Sequence, residues 1–309
     1  MKLSIIIPVY HTEKTLGRCM DSILSQSFKD YEILLVDDGS GNPCDQLCDD
    51  YGRKETRIRV IHQAHGGLSH ARNTGIKLAT GKHVTFIDSD DRIETGTLDR
   101  LMSILAVHPE YDILEYGAFV HYSNPNRQHV LRLGDHVFHS MYDYWLTGKV
   151  YAHSYVCNKV FRRTLFQGLS FPEGKSFEDM GILPALLERC KTVATTSAGL
   201  YYYYDNPQGI TRMADGKQLG DLLQFHLQAL TQLPPKDSVL YRQYYASVLN
   251  IQMDVYERTG QETKLKKMPF PSYALYPLYN FKLTLLNIFG TKWMCKWNRR
   301  IHSVYRRNR

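Results

Sequence analysis

Residues 83–93 read HVTFIDSDDRI. Val84, Phe86 and Ile87 have the character of a buried strand, and then three carboxylates, Asp88, Asp90 and Asp91, arrive within four positions. Like charges this close repel, and burying them unpaired is costly. A hydrophobic strand that runs into an acid cluster expects something positive at its end. The pattern has echoes upstream. YEILLVDDGS (31–40) is an apolar run ending in Asp37 and Asp38, and LSIIIPVY (3–10) is one ending at Tyr10. Continuous apolar runs of this length mark strands covered on both faces.

Between these runs lie helical patterns. EKTLGRCMDSILSQ (13–26) puts Leu16, Met20, Ile23 and Leu24 on one face. A short helix is expected over 43–53, and RIRVIHQ (57–63) reads as a third strand. A Gly66-Gly67 loop then precedes a helix over 68–80, and Gly81 suits its C-terminal end. After the 83–93 stretch come a helix at 95–107 and a strand at 111–122. Alternating strands and helices predict an α/β fold with a mostly parallel sheet flanked by helices. Ligands of such sheets bind beyond the carboxyl ends of the strands. Tyr10, Asp37 with Asp38, and the 88–91 acids all occupy such ends, so one crevice should collect them.

Residues 123–175 are less regular, with strands expected near 128–138 and 155–161. SFEDMGILPALLERC (176–190) predicts a helix with Glu178 and Asp179 in its first turn, where the helix dipole and free amides favour acids. YYYY (201–204) reads as strand, and helices are expected at 217–232 and 236–258. The division predicted is a domain over 1–215 and a helical C-terminal region over 216–309.

The chain has 309 residues, 43% apolar and 22% charged, ordinary for a folded globular protein. No run of some 18 apolar residues occurs, and MKLSIIIPVY lacks the small-residue cleavage site of a leader. The six cysteines include no pair at zinc-binding spacing. Free thiols and a cytoplasmic setting are therefore expected. Charge is uneven. Residues 264–309 hold eleven Lys or Arg and no acid, so +7 less +11 leaves −4 for residues 1–263. A basic tail on an acidic body points to an anionic partner for the tail.

Five stretches together resemble the family 2 glycosyltransferases of GT-A fold. They are SIIIPVYHTEKTLGRCMDSILSQSF (4–28), EILLVDDGS (32–40), GGLSHARNTGI (66–76), TFIDSDD (85–91) and FEDMGI (177–182), in the family's order. The resemblance covers about residues 3–190. It implies transfer of a sugar from a nucleotide-sugar donor to an acceptor hydroxyl. UDP is the expected nucleotide, the sugar a hexose or N-acetylhexosamine, and the acceptor a saccharide or lipid-linked saccharide. Asp88-Ser89-Asp90 resembles the family's DxD element. This implies that Asp90 coordinates a divalent cation, Mn2+ or Mg2+, and that Asp88 binds the ribose or a metal-bound water. The likeness also implies donor contacts for Pro8, Tyr10, Glu13, Asp38 (on the uracil N3–H), Arg72, Asn73 and Ser89. Arg72 could instead orient a DxD acid. Arg212, in YYYYDNPQGITR (201–212), is expected near the pyrophosphate, although Gly209 stands where the family usually has Ser. Asp179 is expected as the general base and Glu178 as its neighbour on the acceptor side, which implies inversion. Asp37 is expected to be structural, Asp91 to cap the following helix, and His65 and His70 to be bystanders. Lys159 and Arg162 read as an acceptor-side pair or a solvated basic face.

In the tail, 269–290 is rich in aromatics and Leu, and 291–309 holds seven basic residues and two Trp. That mixture suits an anionic membrane interface. Peripheral attachment to the inner face of the cell membrane is expected, against the alternative of a packed helix with a solvated basic end. No nucleic-acid module is recognised. Two other functions compete. A nucleotide-sugar-binding pseudoenzyme would bind without turnover. A phosphoacceptor module would explain ILLVDDG but leave the DSDD and ED acids without a role. A dinucleotide oxidoreductase is disfavoured, because no GxGxxG follows the first strand.

Overall fold

A computed structural model describes residues 1–121, 128–206, 214–233, 238–268 and 277–307. Two compact units are formed. The first comprises 1–141, 154–174 and 182–207, and the second 142–153, 175–181 and 208–309.

The first unit is built on one sheet. Its strands are β1 (Leu3–Val9), β2 (Tyr31–Asp37), β3 (Ile58–His62), β4 (His83–Phe86), β5 (Arg92–Ile93), β6 (Ile113–His121), β7 (His129–Leu131), β8 (His136–Phe138), β9 (Lys159–Arg162) and β10 (Val193–Tyr204). The order is β3-β2-β1-β4-β9-β6-β10-β5, with β7 added beside β6 and β8 beside β10. β3, β2, β1 and β4 are parallel, as are β6 and β10. β9 runs antiparallel between β4 and β6. The alternating pattern is therefore right for the first four strands, and the sheet becomes mixed where the sequence is least regular.

The helices follow from the sequence periodicity. α1 (Leu16–Leu24) buries Leu16, Cys19, Met20 and Ile23. With Leu98, Leu101 and Leu105 of α4 (Thr97–Val107), these pack on Ile5, Ile7 and Val9 of β1. α2 (Cys44–Lys54) closes the edge beside β3, and α3 (Leu68–Leu78) crosses β1 and β2. A Cβ on Gly75 would stand 2.4 Å from Ile6 Cγ2, so glycine is what lets α3 lie this close to β1. Every residue of β1 and β2 is buried, as continuous apolar runs require.

Lys159 and Arg162 are neither a solvated face nor an acceptor-side pair. Lys159 is fully buried on β9 and ion-paired to the equally buried Glu115 on β6 at 2.7 Å. Arg162 donates from Nε to Asp112 Oδ1 at 2.7 Å.

The second unit is mostly helical. It contains α5 (Met141–Thr147) from Tyr142 onward, the start of α6 (Glu178–Leu187), and α7 (Gly216–Gln232), α8 (Val239–Thr259) and α9 (Pro277–Arg307), the last kinked at Gly290. Tyr244 on α8 packs against Trp145, Tyr151 and His226. Asp215 caps α7 by accepting from the Gln218 amide, and Ser238 caps α8 through the Tyr241 amide.

Candidate active site

β1 aligns with β2 so that Val9 faces Asp37, and with β4 so that Ile6 faces Phe86. The chain leaves these strands at Tyr10, Asp38 and Ile87, side by side. Pro8 is buried opposite Val36, and Glu13 is half-buried just before α1.

Asp38 is 2% exposed. Its Oδ1 accepts from Gln63 Nε2 at 2.6 Å and from the Gly66 amide at 3.0 Å. Its Oδ2 accepts from the Gly67 amide at 2.7 Å and faces His65 Nδ1 at 2.9 Å. Two successive amides on one carboxylate form an anion nest. The glycines are required: Gly67 has φ +88°, and a Cβ on Gly66 would meet His70 Nδ1 at 1.9 Å. His65, expected as a bystander, contacts both Asp38 and Tyr10. Its ring stacks on Tyr10, with centroids 4.2 Å apart and 22° between planes. Tyr10 is 45% exposed, so the pair presents an aromatic platform beside Asp38. Nothing local in the sequence marks His65, since Tyr10 lies 55 positions upstream. Asp37 is structural as expected, accepting from the Ser40 amide at 3.1 Å and facing His62 Nδ1 at 2.8 Å.

The acid loop follows β4. Arg72, on α3, is 2% exposed and donates from Nη2 to Asp88 Oδ1 at 2.9 Å. Its guanidinium lies 5.4 Å from the Phe171 ring centroid and 5.9 Å from that of Phe86. The contact holds the Asp88 carboxylate against α3. Asn73, next on α3, gives its amide to the 171–173 segment, bonding the Phe171 backbone both ways and Glu173 Oε1 at 3.0 Å. Ser89 is buried. Asp90 faces Asn206 Nδ2 across 3.4 Å, and Arg18 donates to the Asp90 carbonyl while lying over the Tyr204 ring. Burial first, and the Asp88 charge second, push the Asp90 carboxyl above the usual carboxylate range.

Asp91 does not cap α4, whose N-cap is Gly96. It is fully buried, accepting from the Tyr201 hydroxyl at 2.7 Å and the Tyr204 amide at 2.8 Å. The Tyr201 oxygen in turn accepts from the Asp88 amide at 3.2 Å. Asp91 thereby ties the acid loop to the end of β10. Burial, then Asp88 and Asp90, raise its carboxyl well above the ordinary value.

Asp88 and Asp90 offer hard oxygen donors two residues apart, and at Asp90 burial and the Asp88 charge disfavour ionisation, a cost that a divalent cation relieves. Among the described residues no set of three His, Cys, Asp or Glu side chains is placed to hold an ion. Two carboxylates are a donor set compatible with an ion that draws its other ligands from substrate and water, as Mg2+ commonly does.

Glu178 and Asp179 open α6 in the second unit, in its first turn as the sequence predicts. Glu178 is 6% exposed and Asp179 half-buried. Phe177, just before them, holds φ +60°, a strained value for a bulky side chain. The approach to this turn is fixed by Asp221 on α7, which pairs with Lys175 at 2.7 Å and accepts from the Ser176 amide at 3.3 Å. Arg212 lies outside the described residues.

The family model for Glycosyl transferase family 2 matches residues 4–169, over half the chain. The chain belongs to glycosyl transferase family 2. It is 35% identical over 236 residues to the uncharacterized glycosyltransferase EpsJ of Bacillus subtilis, covering 74% of this chain and 68% of that one. It is 28% identical over 296 residues to glycosyltransferase GlyA of Streptococcus pneumoniae, covering 93% of this chain but 41% of GlyA. Its fold matches the crystal structure of S. aureus TarS 1-349 in complex with UDP-GlcNAc. There the TM-score is 0.67 and the identity 21%, over 100% of this chain and 93% of TarS 1-349. The enzyme shares the α/β, GT-A architecture of that protein.

Proposed function

We propose that this glycosyltransferase moves a hexose or N-acetylhexosamine from a UDP-linked donor to a saccharide or lipid-linked saccharide, with inversion, during cell-surface polysaccharide synthesis. The observation that carries the reading is the acid loop. Arg72 and the Asp91–Tyr201–Tyr204 contacts hold Asp88 and Asp90 where a parallel sheet presents its ligand crevice.

Asp90, with Asp88, would hold Mn2+ or Mg2+. When bound, the ion supplies positive charge that offsets the charge gained by the departing diphosphate. The remaining work falls to side chains. Tyr10 and His65 offer the aromatic surface for the base, flanked by Pro8 and Glu13. Asp38 is the acceptor for the uracil N3–H, with Gln63 the side-chain partner a base would displace. Arg72 fixes Asp88, and Asn73 and Ser89 line the same region. Arg212 is assigned to the pyrophosphate on sequence resemblance alone. Asp179 takes the proton from the acceptor hydroxyl as its oxygen bonds to the anomeric carbon. The bond from that carbon to the phosphate oxygen breaks, and its electron pair leaves with the nucleoside diphosphate. Glu178 supports Asp179 or binds the acceptor. The setting proposed is cytoplasmic, with peripheral contact at the inner face of the membrane. Among the described residues, no helix is long and apolar enough to cross one.

The test is donor hydrolysis with UDP-, GDP- and dTDP-sugars, with Mn2+ or with chelator, comparing native protein and Asp90→Ala. Metal-dependent release of UDP, lost in the variant, supports the reading. Metal-dependent binding without turnover, even with saccharide acceptors, would favour a pseudoenzyme. Neither binding nor turnover would remove the donor assignment.

A further inference from the structure

α9 has two unlike faces. Its inner face is fixed within the second unit: Leu283, Leu286, Met294 and Cys295 are buried. Thr291 Oγ1 donates to the Leu265 carbonyl at 2.6 Å, and His302 Nδ1 meets Glu257 of α8 at 2.6 Å. The helix is therefore anchored, and what it turns outward is set by its sequence. Ile288, Phe289, Trp293 and Trp297 are 61%, 48%, 38% and 41% exposed. Phe289, Trp293 and Trp297 stand four residues apart and stack in a ladder, with centroids 4.3 and 5.5 Å apart. Lys292 and Lys296, also four apart, run beside it, followed by Arg299 and Arg300, all exposed.

From this face we infer that α9 docks on the surface of an anionic lipid bilayer, the aromatic ladder seated at headgroup level and the basic stripe on acidic headgroups. The inference rests on the peripheral setting proposed above and names the surface that provides it. Exposed aromatics are costly in water and favoured at an interface, where Lys and Arg stems can lie along apolar surface while their charges reach phosphate. Residues 264–309 carry eleven basic residues and no acid, so this stretch is strongly positive. A second copy seated by a two-fold axis would bring like charges together, a poor occupant. Single-stranded nucleic acid would need open ring faces for base stacking. Here the rings of the ladder already cover one another.

The experiment is flotation of the full chain with phosphatidylcholine vesicles, with and without phosphatidylglycerol, at low and high salt. Two variants accompany it, Trp293→Ser/Trp297→Ser and Lys292→Glu/Lys296→Glu, each checked by far-UV circular dichroism. The charge swap alters only exposed lysines, so it keeps the test alive should the Trp variant misfold. The native chain should float only with phosphatidylglycerol and less so at high salt. Each variant should lower the bound fraction roughly tenfold or more, at about one decimal order per one to two lost contacts, while UDP release from the donor in solution stays unchanged. Flotation of both variants equal to native, no flotation of the native chain, or a Trp-dependent doubling of mass in solution would overturn the inference. Salt-sensitive binding of single-stranded nucleic acid in place of vesicles would also overturn it. Intact flotation without any donor turnover would sink the transferase chemistry and leave the docking surface supported.

Discussion

Lys159→Met is the perturbation whose cost the fold fixes most directly. Lys159 and Glu115 are both fully buried, 2.7 Å apart on neighbouring strands in the middle of the sheet. Lys159 Nζ also donates to the Tyr155 carbonyl at 2.6 Å and to Asn158 Oδ1 at 3.1 Å. Methionine keeps the length and loses the charge, leaving Glu115 buried opposite a thioether. Removing one partner of a buried pair costs about 3–5 kcal/mol, a fifth or more of a typical stability of about 5–15 kcal/mol. In the variant, burial with the lysine charge removed should raise the Glu115 pKa above its unfolded value. A raised carboxyl contributes stability that is present below the unfolded pKa and lost as pH rises through the folded pKa. The deficit should therefore shrink as pH falls from 7 towards 5. Adding Glu115→Leu should recover most of it, less about 1–3 kcal/mol for the carbonyl and amide left without the lysine. All three tryptophans fall in the second unit, so urea unfolding is best followed by far-UV circular dichroism. If the double variant is as unstable as the single, or the deficit does not change with pH, the pair is not the source of the cost.

His83 on β4 is 4% exposed, and among the described residues neither ring nitrogen has a hydrogen-bond partner. Burial, helped by the Lys82 and Arg162 charges, lowers its pKa to about 4. The unfolded chain thus binds a proton that the folded chain refuses, and stability falls as pH drops from about 6.5 to about 4. His83→Leu should flatten that limb of the pH–stability curve; an unchanged limb would show that other groups set it. Asp179→Asn should lower kcat by about 10²–10⁴-fold with little change in donor KM, read from single-turnover transfer. An equal loss in donor KM would place Asp179 in binding instead. His65→Ala should raise donor KM about tenfold, consistent with loss of one stacking face worth about 1–3 kcal/mol. A change confined to kcat would remove His65 from the base platform.

What could be read from the chain depended on how far apart the interacting residues lie. β1, β2, β3 and α3 were predicted to within two or three residues, because a continuous apolar run or a 3.6-residue period is a local property. β4 stops at Phe86, one residue short of the apolar Ile87, because the chain then turns on itself, with the Asp91 amide bonded to the Asp88 carbonyl at 3.0 Å. β10 was read only over its Tyr run, because its register shifts between Thr196 and Leu200, around Gly199. α5 went unread. The antiparallel placement of β9 depends on strands that are far away in sequence. The candidate site shows the same division. The 88–91 acids, Asp38 and the Glu178-Asp179 turn carry local signatures, whereas the partnership of His65 with Tyr10 exists only after folding.

The three acids in HVTFIDSDDRI are tolerable because the fold gives each a separate environment. Asp88 is balanced by Arg72 at 2.9 Å. Asp91 is turned away from the others, into the Tyr201 hydroxyl and the Tyr204 amide. That leaves Asp90, half-buried and facing Asn206, as the carboxylate whose charge the protein answers least directly. A motif of three acids therefore does three jobs: Asp88 is positioned, Asp90 is offered, and Asp91 holds the loop to β10. The last has a functional corollary. Tyr204 and Asn206 stand where the chain leaves β10 for the segment that includes Arg212. Both touch the acid loop, Tyr204 through Asp91 and Asn206 through Asp90. A perturbation at either end of these contacts should be felt at the other. Loss of donor affinity on breaking Tyr201 from Asp91 would be the sign that they act as one unit.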